Sequence, residues 1–141
     1  MIYKATKAID AAFKENGLKH KVNEQPSFSA VEAGFSGDNC TFTVHFVSQD
    51  DDCDVKVLTQ DFAKFPGNKL TAGYEIINSL NKKYRYAKFV LDPSDGGVHA
   101  EYDFPVKLNI PTVKEVAVEI ALRFMKIIDD AYPEIMKAIW S

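Results

Sequence analysis

The sequence predicts an α+β domain, an antiparallel sheet of about five strands flanked by helices in the order α-β-β-β-α-β-β-α. Three observations carry this. Apolar residues alternate with period two in several short neighbouring runs, the runs are joined by clusters of turn formers, and a helical period is confined to three other segments. Hairpin-length connections between grouped strands favour an antiparallel sheet over a parallel, doubly wound one.

The first helix is read from Tyr3 to Asn16, where Ile2, Ala5, Ile9, Ala12 and Phe13 follow a helical period and Gly17 stands at the C-cap. Pro26 then opens a strand, Phe28 to Phe35, that ends in the turn formers Ser36-Gly37-Asp38-Asn39, whose glycine accepts positive φ. Cys40 to Ser48 alternates cleanly, with Phe42, Val44 and Phe46 on one face and Thr41, Thr43, His45 and Val47 on the other. After an acidic turn at Gln49 to Asp52, a third strand runs from Asp54 to Gln60 with Val55, Val57 and Thr59 on its inner face. Phe62, Phe65, Pro66 and Gly67 break that pattern.

A second helix is expected between Leu70 and Tyr84, closed by Asn81, Lys82 and Lys83 in keeping with the helix dipole. Tyr86 to Leu91 and Val98 to Leu108 flank Asp92-Pro93-Ser94-Asp95-Gly96-Gly97 and read as a hairpin, with Val98, Ala100, Tyr102 and Phe104 facing inward. The last helix begins at Pro111-Thr112, where Thr112 and Glu115 have capping-box spacing, and Pro133 is expected to kink or split it. Its apolar positions include Val113, Val116, Ile120, Phe124, Ile127 and Ala131, but also Val118, Leu122, Met125 and Ile128, a breadth beyond one stripe.

With 141 residues, 46% of them hydrophobic and no long Pro, Gly or Ser tract, residues 1–141 read as a single domain with its own core. The 20 acidic and 17 basic side chains give a net charge of −3, which supplies no positive field for nucleic acid. No apolar run approaches the roughly 18 residues that span a bilayer, and the amphipathic start reads as a helix and not a secretory signal. The strand reading sets Cys53 opposite Ser48 and Cys40 near Asp61, so two free thiols are expected, in a reducing, cytoplasmic setting.

No catalytic or metal constellation emerges, and neither a cofactor nor enzyme chemistry is expected. His20, His45 and His99 lack metal-ligand spacing, and Asp50, Asp51, Asp52 and Asp54 are not followed by the glycine and glutamate of an EF-hand loop. No serine lies in G-x-S-x-G, and Gly96-Gly97 joins strands, whereas a phosphate loop leads into a helix. Tyr84-Arg85-Tyr86 interleaves a cation with two rings, which structural packing explains.

Several motifs in the second half carry a resemblance. Between Glu75 and Trp140 stand Ile77-Asn78 with Asn81, then Lys88-Phe89-Val90-Leu91-Asp92, Gly96-Gly97, and Thr112 with Glu115. This stretch resembles the YbjN family of bacterial sensory transduction regulators. The resemblance implies a type III secretion chaperone-like fold that often dimerises, and no catalytic residues. It also implies structural roles: Asn78 and Asn81 tying the helix end to neighbouring backbone, and Asp92 capping the turn.

The functional expectation is a non-enzymatic adaptor or chaperone-like regulator that presents a sheet face or edge to a protein partner, through Thr43, His45 and Val47. A homodimer using Val118, Leu122 and Met125 would account for the breadth of the last helix. The alternative is a small-ligand sensor with a pocket between the sheet and that helix, anchored by Tyr102, His99 or Arg123.

Overall fold

The computed structural model describes residues 1–50, 54–105 and 110–141. Helix α1 (Lys4–Glu15) is followed by four strands, β1 (Lys21–Glu24), β2 (Ser29–Ser36), β3 (Thr41–Ser48) and β4 (Asp54–Lys64). A short 3-10 turn (Gly67–Lys69) leads into α2 (Leu70–Lys83), and β5 (Lys88–Leu91), β6 (Gly97–Pro105) and α3 (Ile110–Trp140) complete the chain. The strands form one antiparallel sheet in the order β1-β2-β3-β4-β6-β5.

The expected class holds, but the sheet has six strands where about five were predicted. The extra strand is β1, Lys21-Val-Asn-Glu24, whose one apolar residue leaves no alternation to read. It pairs with β2 through a tight turn closed by the Gln25 N–H donating to the Phe28 carbonyl at 2.9 Å. Strand β4 also runs past Gln60 to Lys64. A bulge between Thr59 and Ala63, where Asp61 takes a φ of 48°, restores Ala63 to the buried face and explains the broken alternation.

The helix ends follow from local chemistry. Gly17, at φ 67°, lets its own N–H reach the Lys14 carbonyl and that of Leu18 reach Phe13, a Schellman closure of α1. Asp92 caps the β5–β6 turn as expected, its Oδ1 accepting from the Ser94 N–H at 2.9 Å. At the other end of the molecule α3 already starts at Ile110, so Pro111 and Thr112 lie inside its first turn and Thr112 is not the N-cap.

Pro133 does not split α3, which is continuous to Trp140. A proline there removes the N–H that would bond the carbonyl of Asp129. The Asn39 side chain, from the β2–β3 turn, donates to that carbonyl at 2.9 Å instead. The Asp129 carboxylate completes the latch, accepting the N–H groups of Asp38, Asn39 and Cys40 at 3.0, 2.8 and 3.1 Å. Gly37 is needed beneath it, since a Cβ at that position would stand 2.3 Å from Asp129 Oδ1. Its role is room for the carboxylate, not the positive φ expected of it, for Gly17 and Gly96 are the glycines at positive φ.

All three helices pack on one face of the sheet, α1 over β2 and β3, α2 over β5 and α3 over β4, with α3 between the other two. Val113, Ala117, Ala121, Phe124, Ile128, Ala131, Ile135 and Ile139 of α3 are buried, at the three- and four-residue spacing of one stripe. Val116, Val118, Ile120, Met125 and Ile127 are half-buried beside it. Neighbours on both flanks thus account for these half-buried positions, while Leu122 stays exposed. The alanines at 117, 121 and 131 let α3 sit close, while Phe13 and Phe46 meet edge-to-face at 5.3 Å in the core below.

Candidate functional site

With every described helix on one side, the other face of the sheet is open among the described residues, and the strand register lays its side chains in rows. One row crosses all six strands: Lys21, Glu32, His45, Leu58, Glu101, Lys88. The next holds Asn23, Ala30, Val47, Lys56 and Asp103. Thr43, His45 and Val47, all expected to bind a partner, share this face as the period of β3 requires.

Charges on the face are paired across strands. His45 Nδ1 lies 2.8 Å from Glu32 Oε2, Lys88 Nζ 2.8 Å from Glu101, and Lys56 Nζ 3.7 Å from both Glu101 and Asp103. The Lys88 hydrogen bond above all holds the Glu101 carboxyl below its ordinary value, against a partial opposing effect of burial. Such half-exposed pairs add little stability, about 0–1 kcal/mol each, but keep an uncovered sheet face soluble. Between them runs an apolar strip, Ala30, Val47 and Leu58, at the floor of a cleft of about 600 Å³ walled by Asn23, Phe28 and Lys56. A second cleft of about 630 Å³ shares Glu32 and His45 and reaches Thr43 and Gly34.

The two edges of the sheet differ. At β5 the Asn81 amide, from the last turn of α2, takes the place of a neighbouring strand: its Nδ2 donates to the Phe89 carbonyl at 3.1 Å and its Oδ1 accepts from the Phe89 N–H at 2.8 Å. The implied tie between the helix end and neighbouring backbone is therefore made by Asn81, whereas Asn78 is exposed and shows no side-chain bond among the described residues. At β1 the Gln25–Phe28 closure sets the phase of the ladder, so Asn23 and Lys21 bond toward β2 while Val22 and Glu24 turn their N–H and C=O outward.

The other predicted set lies in the opposite layer. Leu122 is 49% exposed, and with Met125 it borders a cleft of about 220 Å³ that also touches Phe35, Phe42 and Asp129. Val118 is half-buried against the core. Of the suggested ligand anchors, Tyr102 and Arg123 meet in a cleft of about 310 Å³ between β6 and α3, whereas His99 stands at the open face, 3.9 Å from Glu101.

Burial first, then the nearby Asp129 charge and its hydrogen bond, push the Cys40 thiol up to about 11, so it is a poor nucleophile at neutral pH. Cys40 thus lies against Asp129. Ser48 pairs with Val55, and the expected position of Cys53 lies outside the described residues. Among the described residues no group of three His, Cys, Asp or Glu is placed to hold a metal, and no helix is long and apolar enough to cross a membrane.

No curated protein and no solved structure matches this chain. Residues 6–135 match the YbjN family, described as "Putative bacterial sensory transduction regulator", and that span includes the open face, the sealed β5 edge and nearly all of α3. The chain belongs to the YbjN family.

Proposed function

We propose that this regulator acts without chemistry of its own, in a reducing cytoplasmic setting, by binding a polypeptide along β1 and the adjoining open face, in a chaperone-like manner. The observation that carries the reading is the unequal treatment of the two edges. An unpaired edge invites another strand, and here Asn81 bonds the outward N–H and C=O of Phe89 on β5 while β1 keeps outward N–H and C=O groups at Val22 and Glu24. An extended segment added at β1 would lie beside Lys21 and Asn23, and the apolar strip of Ala30 and Val47, with Thr43 and His45, continues the open face on the next two strands inward.

Val22→Pro tests this directly, because it deletes an outward N–H and leaves the bonds to β2 in place. Tagged wild-type protein recovered from the native host should carry a stoichiometric polypeptide that Val22→Pro loses, while Lys126→Ala on α3 keeps it. Retention of the partner by Val22→Pro would remove the edge from the reading. Where the second strand comes from another copy of the chain, light scattering reports a dimer that Val22→Pro dissociates. Dissociation by Leu122→Lys alone would place that contact on α3.

A further inference from the structure

We propose that the cleft between β6 and α3 is a binding site for a small aromatic carboxylic acid. The site is separate from the β1 edge and does not depend on the polypeptide reading. Its walls are aromatic. Tyr86 meets Tyr102 edge-on with ring centroids 5.9 Å apart and planes at 70°, and Tyr102 stacks on Phe104 at 6.4 Å and 24°. Phe104 is 6% exposed, and Val116 and Ile120, one turn apart on α3, complete an apolar lining. Flat hydrocarbon surfaces of this kind favour a planar ring that can stack or meet an edge.

Among the described lining residues the polar end carries one cation, Arg123, beside one carboxylate, Glu119. Arg123 holds its guanidinium 5.2 Å from the Tyr86 ring centroid, and it is the one basic side chain among the described lining residues. Its Nε and a terminal nitrogen bond Glu119 at 3.0 and 2.9 Å, one turn away on the same exposed helix face. An exposed i,i+4 pair is among the weakest of ion pairs, so giving up Glu119 for a ligand carboxylate costs little. A ligand carboxylate takes the same fork while its ring covers the apolar wall, a contact that Glu119 does not make.

Size and charge narrow the class. A volume of about 310 Å³ lies at the low end of ligand pockets, which span roughly 300–1,000 Å³, and suits one or two fused rings. Among the described lining residues one guanidinium matches one negative charge, not a polyphosphate. A single-stranded nucleic acid would also stack on these rings, but it draws on a basic groove, and the chain carries a net charge of −3.

The test uses 2-naphthoate and its neutral counterpart 2-naphthalenemethanol, titrated by calorimetry into the full chain. Naphthoate should bind about tenfold tighter than the alcohol, the difference expected of a charge-assisted hydrogen bond. Arg123→Gln should erase that difference and leave the alcohol unaffected, Tyr102→Ala should weaken both, and Lys7→Gln on α1 should change neither. Circular dichroism establishes that each variant is folded, and Arg123→Lys, which keeps the charge without the fork, should give an intermediate loss. Absence of saturable binding by either probe overturns the proposal, as does naphthoate binding that is indifferent to Arg123 and Tyr102.

Discussion

Replacing Asn81 by alanine should cost stability and open a sheet edge. The substitution removes two hydrogen bonds, Nδ2 to the Phe89 carbonyl and the Phe89 N–H to Oδ1, at 3.1 and 2.8 Å. Each is worth about 0.5–1.5 kcal/mol net, and because water can reach an edge strand the pair should give about 1–2 kcal/mol. Alanine is a better helix former than asparagine by roughly 0.5 kcal/mol, which offsets part of this loss. Asn78→Ala, on the same helix and without such bonds, experiences the propensity term alone. Urea denaturation should therefore show Asn81→Ala destabilised by about 0.5–1.5 kcal/mol and Asn78→Ala stabilised slightly, about 1–2 kcal/mol apart. Light scattering should show concentration-dependent association in Asn81→Ala beyond that of wild type, because the bared Phe89 backbone can pair with another strand. If the two variants shift stability alike and neither associates more than wild type, Asn81 is not sealing the edge.

Gly37→Ala should destabilise the protein by about 1–3 kcal/mol, since its Cβ would fall 2.3 Å from Asp129 Oδ1 and displace the latch. In an Asp129→Ser background the same change should cost far less, which a double-mutant cycle by urea denaturation measures. Cys40, with its thiol raised from 9.0 to about 11, should hold on the order of 100-fold less thiolate at neutral pH than an ordinary cysteine. In a Cys53→Ser variant its reaction with a disulfide reagent should accelerate strongly on unfolding, and equal rates would contradict the shielding. Acid should act through Asp129, held below its ordinary 3.8 chiefly by the Asn39 N–H, and through Asp10, where bonds from His20 and Lys14 outweigh the opposing effect of burial. Both carboxyls stabilise the fold above their unfolded values and lose that contribution as pH falls through their lower folded values. Unfolding free energy should thus decline below about pH 4, with a shallower slope in Asp10→Asn.

Elements whose residues repeat their own period were legible from the chain alone. β3 could be read because Phe42, Val44 and Phe46 alternate with Thr43, His45 and Val47, and the same alternation placed the latter three on one side of the sheet. A slip in the expected pairing did no harm to that assignment: Ser48 pairs with Val55, two residues from the expected partner, and a shift of two keeps every side chain on its face. β1 was not legible, because a four-residue edge strand with one valine is held by its neighbour's backbone and needs no pattern of its own. Nor was the extension of β4, since a bulge inserts residues that belong to neither face.

The sequence by itself determined the class, the helices, the hairpins and the faces of the strands, because each depends on residues within a few positions of one another. What covers those faces was decided by tertiary structure. The broad apolar surface of α3 is legible in its residues, but only the packing shows α1 and α2 on either side of it with Leu122 left exposed, and Pro133 suggests a break until Asn39 supplies the donor that the proline lacks. The same holds for the sealed β5 edge and for the meeting of Tyr102 with Arg123. In each case the partner lies across a chain closure that local periodicity does not encode, for composition states which groups need partners and only the packed fold states where those partners stand.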